Sequence, residues 1–403
     1  MPSNSYTQQL YQSVREAKDL PLPDDVAQQH SQELIRFIKQ EMDNHQGAIS
    51  FRRYMEIVLY APGLGYYAAG SAKLGEAGDF ITAPEISTLF SFSLANAIMP
   101  ALCSQDIILE VGAGRGRMAA DMMLFLQSKN ALPKEYWILE LSADLRERQK
   151  ETISNAVPDL IGRVKWLETL PENFNGVVVA NELLDAMPVQ LFRKNEVVNE
   201  VNVVYKDEKF FFETKSSHDE RLLNRLDAIE AEAGMPFEQG YVSEVNFAAE
   251  DWIHSIAEKL QKGIIILIDY GFPQHEYYHA QRSQGTLMCH YRHRVHADPF
   301  VYPGLQDITA HVDFTAMADA GLASGLKVIG YTNQANFLMG AGLMELVAAN
   351  NNADIKQQLD LATQIKKLTL PHEMGELFKV IGFSKNCDVV LPAFSFRDMR
   401  EFL

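Results

Sequence analysis

The stretch LEVGAGRGRMAADM, residues 109–122, sets Gly112, Gly114 and Gly116 at alternate positions between an apolar run and a segment of helical spacing. Without Cβ atoms these residues let the backbone turn tightly and approach a ligand, and the helix that follows offers N–H groups with no intrahelical partner. The next apolar run, WILELS, ends on Glu140 and Leu141. A carboxylate at that strand end can accept from both hydroxyls of a ribose lying across the sheet edge. A third group follows VVVA, where Asn181, Glu182 and Asp185 emerge in NELLDAMPV. If a helical turn begins there, Glu182 and Asp185 share a face and can hold a guanidinium through paired hydrogen bonds.

Two nucleotide-like ligands compete for the glycine turn. The dinucleotide fingerprint wants glycine or alanine at its sixth position, where this chain has Arg117, and here the third glycine comes one residue early. Glu110 stands two residues before Gly112. A carboxylate beside close-approach glycines suits S-adenosylmethionine, whose amino acid part brings an ammonium, better than a dianionic pyrophosphate. The acidic-x-Gly-x-Gly-x-Gly pattern resembles motif I of class I methyltransferases, while Glu140 supports a nucleoside of either kind.

The elements that must carry these groups alternate in type from residue 106 onward. DIILEVG, YWILEL, RVKWLETL and NGVVVANEL read as strands, with GRMAADMMLFLQ and SADLRERQKETISNA between them as helices. That order predicts an α/β fold: a doubly wound, Rossmann-like sheet with ligands outside the carboxyl ends of its strands. Residues 196–214 alternate with period two around KDEK and predict an antiparallel hairpin, and DERLLNRLDAIEAEA predicts a helix after it. We therefore divide the chain into a helical N-terminal cap at 1–77, a first core part at 78–187, an inserted α+β subdomain at 188–262, and the remaining core at 263–403. The last part includes a lid loop, the apolar run GIIILIDYG and closing strands in LKVIGYT and LFKVIGFSK. AANNNADIKQQ, residues 348–358, reads as a loop.

Composition narrows the partners. A formal net charge of -17 disfavours nucleic acid and anionic membranes and favours a cationic protein partner, docked on the inserted hairpin, with a homodimer as the other use of that surface. The three cysteines predict no disulfide framework and a reducing compartment. The longest apolar run is too short to span a bilayer, and the N-terminal residues, with Glu16, Asp19, Asp24 and Asp25, lack the marks of a signal or transit peptide. A cytoplasmic location is the resulting expectation. Neither G-x-S-x-G nor a P-loop occurs, which disfavours serine hydrolysis and phosphoryl transfer. TLMCHYRHRVHADP holds Cys289, His290, His293 and His296, but reads as a substrate-facing lid loop and not as a metal site. Asp307, Thr309, His311 and Asp313 are candidates for polar contacts in that region, with His311 read either as a general base or as a buried structural histidine.

Five motifs in order, GDFITAPEIS (78–87), LEVGAGRGRMAAD, VVVANELLDAMPV, IDYGF and PGLQDITAHVDFTAMADAG (303–321), resemble the MidA-like family of S-adenosylmethionine-dependent methyltransferases. The resemblance runs from about residue 30 to near the end. It implies a class I methyltransferase core and, for the mitochondrial members, methylation of an arginine on a subunit of the respiratory complex during assembly. Carried over by position, Gly112, Gly114 and Gly116 would line the donor, Glu140 would hold its ribose, and GDFITAPEIS, with Thr82 and Pro84, would close over it. Glu110, Leu141 and Asn181 complete the expected donor site. Glu182 and Asp185 are the expected guanidinium-positioning residues, with Asp269 at the exit of the fifth strand as a further acceptor. Leu183 and Leu184 stand where members of the family often have an aromatic pair. The alternatives are a methyltransferase for a small molecule or another side chain, a non-catalytic donor-binding chaperone, and a nicotinamide dehydrogenase.

Overall fold

The computed structural model describes residues 20–69, 82–349 and 355–403. Gly78 to Ile81 of GDFITAPEIS, the polar start and residues 350–354 lie outside the described residues. The chain divides into two units. One, the core unit, holds residues 82–184, 249–274 and 312–403; the second holds 20–69, 185–248 and 275–311.

Among the described residues the core unit has an eight-stranded sheet, in which the short strand Val312–Asp313 pairs beside the end of β5 and seven strands form the main path: β1 (Ile107–Val111), β2 (Glu135–Leu139), β3 (Val164–Leu167), β4 (Phe174–Asn181), β5 (Leu260–Phe272), β6 (Lys327–Asn333) and β7 (Phe378–Lys385). They lie in the order β3-β2-β1-β4-β5-β7-β6. The first five pair in parallel, and β7 runs antiparallel to both β5 and β6. The central strands read as unbroken apolar runs because both faces are covered: Ile108, Leu109, Val177, Val178, Ile264 and Ile266 are all buried.

The helices used below are α1 (Thr88–Ile98), α2 (Arg117–Ser128), α3 (Ala143–Ala156), α4 (Phe247–Lys259) and α5 (Phe314–Ala323). Ser87 caps α1 by accepting from Leu89 N–H, and Ser142 caps α3 by accepting from Leu145 N–H. The sequence suggests Glu85 as a second cap for α1. It lies instead in a separate turn, Ala83–Ile86, with Pro84 in its first turn, and that turn ends at Ser87. The segment read as a loop at 348–358 contributes to two helices, Leu343–Ala349 and Ile355–Thr369, within its described part.

In the second unit, five antiparallel strands form one sheet: Ala48–Ser50, Gln190–Lys194, Val198–Lys206, Lys209–Ser216 and Val242–Val245. The hairpin expected around KDEK is present. It turns at Asp207 and Glu208, both at positive φ (48° and 61°), the conformation that joins twisted strands through two residues. Helices Asp25–Asn44 and Phe51–Tyr60 share a core with this sheet through Leu34, Ile38, Tyr54 and Val58 against Leu191, Val201 and Val203.

TLMCHYRHRVHADP is not a loop. It forms the hairpin Met288–Tyr291 and Arg294–His296, turning at Arg292 and His293 with φ of 47° and 62°, and Asp307–Thr309 adds a third strand. Histidines at both inward and outward positions hid the period-two pattern. Among the described residues no helix is long and apolar enough to cross a membrane.

The antiparallel end of the core sheet depends on one ring. Phe394 fills the space over Gly330 of β6 and Gly382 of β7, where added Cβ atoms would fall 2.1 and 2.7 Å from its ring atoms, and it meets Phe337 edge-on at 5.3 Å. Phe394→Ala is expected to lower stability by about 3–5 kcal/mol, read as a shifted midpoint in urea unfolding. An unchanged midpoint would show that this end of the sheet is held some other way.

Candidate functional site

Four neighbouring strands, β2, β1, β4 and β5, end side by side and bring the sequence-predicted groups of the core unit to one edge. Backbone hydrogen bonds extend the ladder past the strands: Gly112 N–H to Leu139 O, Glu140 N–H to Leu167 O, and Glu182 N–H to Ile268 O at 2.9 Å.

After β1 the chain takes left-handed values at all three glycines, φ of 73°, 52° and 82° at Gly112, Gly114 and Gly116. Their surroundings differ. A Cβ at Gly116 would lie 3.0 Å from the Cα of Gln149 on α3, so this glycine serves helix packing. A Cβ at Gly112 would approach Leu183 at 3.3 Å, whereas at Gly114 it would meet nothing within 4 Å among the described residues. The bare backbone at Gly114 is therefore the part of the turn open to a ligand.

Glu140 is almost fully buried. One carboxylate oxygen accepts from Ser142 N–H at 2.9 Å and the other from Gln149 Nε2 at 3.0 Å. Burial raises its pKa, opposed by those donors, by the Leu141 N–H and by the charge of Arg146. Leu141, next to it, is 71% exposed, which places an apolar surface beside a ribose-type acceptor. Thr82 stands at the N-cap of the Ala83–Ile86 turn and makes no side-chain capping bond there.

Glu110 faces elsewhere. It is buried on the face covered by α2, where it accepts from Tyr136 OH at 2.6 Å, and the same hydroxyl reaches the Met122 sulfur at 3.7 Å. Burial pushes its pKa up to about 7; the Tyr136 bond opposes this and the charge of Glu140 adds to it.

At the exit of β4, Asn181 Nδ2 donates to Glu182 Oε1 at 3.0 Å, while Asn181 Oδ1 is buried without a partner among the described residues. The helical turn expected at 182–185 does not form. Glu182 sits at φ +53°, and the segment after it is irregular. Asp269, at the end of β5, imposes that path: one oxygen accepts from Leu183 and Leu184 N–H at 3.1 and 2.8 Å, the other from Tyr270 N–H at 2.8 Å. The left-handed φ at Glu182 takes the chain out of the helical path at the first residue of the expected turn.

The unit boundary falls after Leu184, so Asp185 belongs to the second unit, where its backbone oxygen accepts from Ala310 N–H. In that unit Tyr67 OH donates to both oxygens of Asp307 at 2.9 Å, and Tyr60 stacks on Tyr67 at 5.5 Å. Burial raises the Tyr67 pKa well above its usual range, with Asp307, Tyr60 and Asp185 adding to the shift. Thr309 lies on the strand Asp307–Thr309 of the three-stranded sheet. The backbone of His311 is fixed by Tyr277 OH and Thr286 Oγ1, while Asp313, in the core unit, caps α5. Burial lowers His290 to about 3, and His296 is lowered as well. Among the described residues no group of three or more His, Cys, Asp or Glu side chains is disposed to hold a metal.

Gln149 is the residue that sequence reasoning missed. SADLRERQKETISNA looks solvent-facing throughout, yet Gln149 and Ile153, four apart, form its buried stripe.

A parallel sheet closed by an antiparallel β7, with a glycine turn after β1 and a carboxylate after β2, defines a class I methyltransferase. A family model described as "Putative S-adenosyl-L-methionine-dependent methyltransferase" matches residues 94–332. A crystal structure from Burkholderia thailandensis, described as a "likely methyl transferase" bound to S-adenosyl-homocysteine, is 44% identical, with a TM-score of 0.90 covering 96% of this chain and 100% of that one. The chain belongs to the MidA-like family of S-adenosylmethionine-dependent methyltransferases, and its cofactor is S-adenosylmethionine. Among curated relatives, "Protein arginine methyltransferase NDUFAF7, mitochondrial" of Mus musculus is 28% identical over 379 residues, 82% of this chain and 80% of the relative. Its Danio rerio counterpart is 26% identical over 373 residues, 83% of this chain and 82% of the relative. The residues present fit the cofactor: Gly114 leaves the backbone bare, Asn181 keeps a buried acceptor without a donor, and Leu141 offers an apolar face.

The Glu110 shift has a testable sign. With a folded-state pKa of about 7 against an ordinary 4.5, the folded protein holds a proton between those values that the unfolded chain has lost. Its contribution to stability is full below about pH 4.5 and is lost as pH rises through about 7. Glu110→Gln does not titrate, so its stability relative to the parent should rise across that window by up to about 1.4 kcal/mol per pH unit. Parallel stability profiles for the two proteins in chemical denaturation would refute the assignment.

Proposed function

We propose that this methyltransferase acts on an arginine side chain of a protein substrate, with Glu182 holding the guanidinium. The observation that carries the reading is the strained backbone of Glu182. A non-glycine residue in the left-handed region costs about 1–3 kcal/mol, and such costs gather at functional sites. Here the strain is enforced by Asp269 through Leu183 and Leu184, at the strand exit adjoining the one that carries the glycine turn. The names of the curated relatives as protein arginine methyltransferases support the same acceptor.

In this reading the turn at Gly112, Gly114 and Gly116 carries the amino acid part of the donor, Glu140 its ribose and Leu141 its adenine. Asn181 supplies an acceptor, and Thr82 and Pro84 border the site. Glu110 acts from beneath through Tyr136. S-adenosylmethionine, when bound, supplies a methyl group activated by its sulfonium. The protein's task is on the acceptor side. A guanidinium has a pKa above about 12, and its nitrogens are poor nucleophiles until charge is drawn away from one of them. A carboxylate bonded to the other nitrogens does this and fixes the orientation. Glu182 supplies it, Asp269 is a positioning residue for Glu182, and Asp185 is a second acceptor to be tested separately. The net charge of -17 favours a cationic substrate segment.

With methyl-labelled donor and a proteome from cells lacking the gene, label is expected in methylarginine of a protein. Glu182→Gln should lower that transfer at least ~100-fold while S-adenosylhomocysteine affinity stays within about threefold. Label appearing only in a small molecule or in lysine would overturn the arginine reading.

A further inference from the structure

Gln149 makes three hydrogen bonds from a fully buried position. Its Nε2 donates to Gly114 O at 2.9 Å and to Glu140 Oε2 at 3.0 Å, and its Oε1 accepts from Trp166 Nε1 at 2.9 Å. The two amide hydrogens thus reach one acceptor on the glycine turn and one on the carboxylate after β2. Without that amide a carbonyl oxygen and a carboxylate would face each other with nothing but repulsion between them. The Trp166 bond fixes which end of the amide points where, because an indole N–H can only donate. Gly116 is shaped to the same residue, since any Cβ there would press on Gln149. The charged groups acting on Glu140 are Arg146, which attracts it, and Glu110, which repels it; neither bridges to the turn.

We propose that Gln149 is the positioning residue of the donor site. It locks the Gly114 turn to Glu140 so that the carboxylate meets the ribose diol in one orientation. The inference deepens the assignment of Glu140 to the ribose and rests on it. Gln149 acts only through Glu140 and Gly114, and is not a catalytic residue. Its loss should therefore erase recognition of the diol and not simply loosen the fold.

The discriminating measurement is calorimetric binding of S-adenosylhomocysteine and of its 2′-deoxyribose counterpart to the full chain. The parent is expected to prefer the ribose ligand by about tenfold or more, the worth of a hydrogen bond to a charged group. Glu140→Gln and Gln149→Leu should each reduce that preference to about threefold or less, and the double variant should lose no more than either single one. Should Gln149→Leu fail to fold, Gln149→Met keeps a side chain of similar length and volume while removing the donors, and carries the same expectation. A parent that binds S-adenosylhomocysteine without preferring the diol overturns the Glu140 assignment and this proposal with it. A parent and Gln149 variants that share the preference, while Glu140→Gln loses it, overturn the proposal alone.

Discussion

A carboxylate taken out of water must be met by donors, and the donors it finds decide how nearby chain is held. The edge of the core sheet is arranged around three such groups. Asp269 draws in the N–H groups of Leu183, Leu184 and Tyr270, and so sets the path of the chain leaving β4. Glu140 collects Ser142 and Gln149, which joins the start of α3 to the glycine turn. Glu110 has a single hydroxyl, that of Tyr136, and its pKa rises accordingly.

The same constraint explains why the glycine turn and the irregular segment after β4 belong together. Leu183 is pinned through its backbone by Asp269, and its side chain lies 3.3 Å from where a Gly112 Cβ would stand. A larger residue at Gly112 would push on a segment that cannot move without breaking bonds to a buried charge. The side chain of Leu183 makes the wall beside the turn apolar. Leucine supplies this as well as an aromatic ring would, but without a π face.

Much of this was legible in the sequence where local chemistry decides structure. Glycines at alternate positions after an apolar run, serines at helix starts, and KDEK between alternating strands each have one inexpensive conformation, and each adopted it. Legibility ended where a distant partner decides. Glu182 and Asp185 have helical spacing, but Glu182 takes a left-handed φ, and Asp269, more than eighty residues on, binds the N–H groups of the two residues after it. The strands around Cys289 and His296 were masked because a buried histidine and an exposed one look alike in a string of letters. Gln149 was hidden for a related reason: its helix shows only two buried positions, and a lone polar residue in a charged segment gives no sign that it points inward. The second unit gathers three separated stretches, a grouping that no local pattern announces.

Two local costs meet at the exit of β4. Glu182 is held at φ +53°, and the neighbouring Asn181 keeps Oδ1 buried without a donor. A buried acceptor left unpaired costs about 1–3 kcal/mol, similar to the backbone strain beside it. Asn181→Leu would relieve the first cost and a glycine at 182 the second, so a chain under selection for stability alone had simple remedies at both positions. That the strained residue and the buried amide oxygen stand side by side, at the end of the strand flanking the glycine turn, is explained if this strand end is kept for a ligand. The hydrogen bond from Asn181 to Glu182 then has a specific use, since it fixes the amide so that the orphaned oxygen is presented and not turned away.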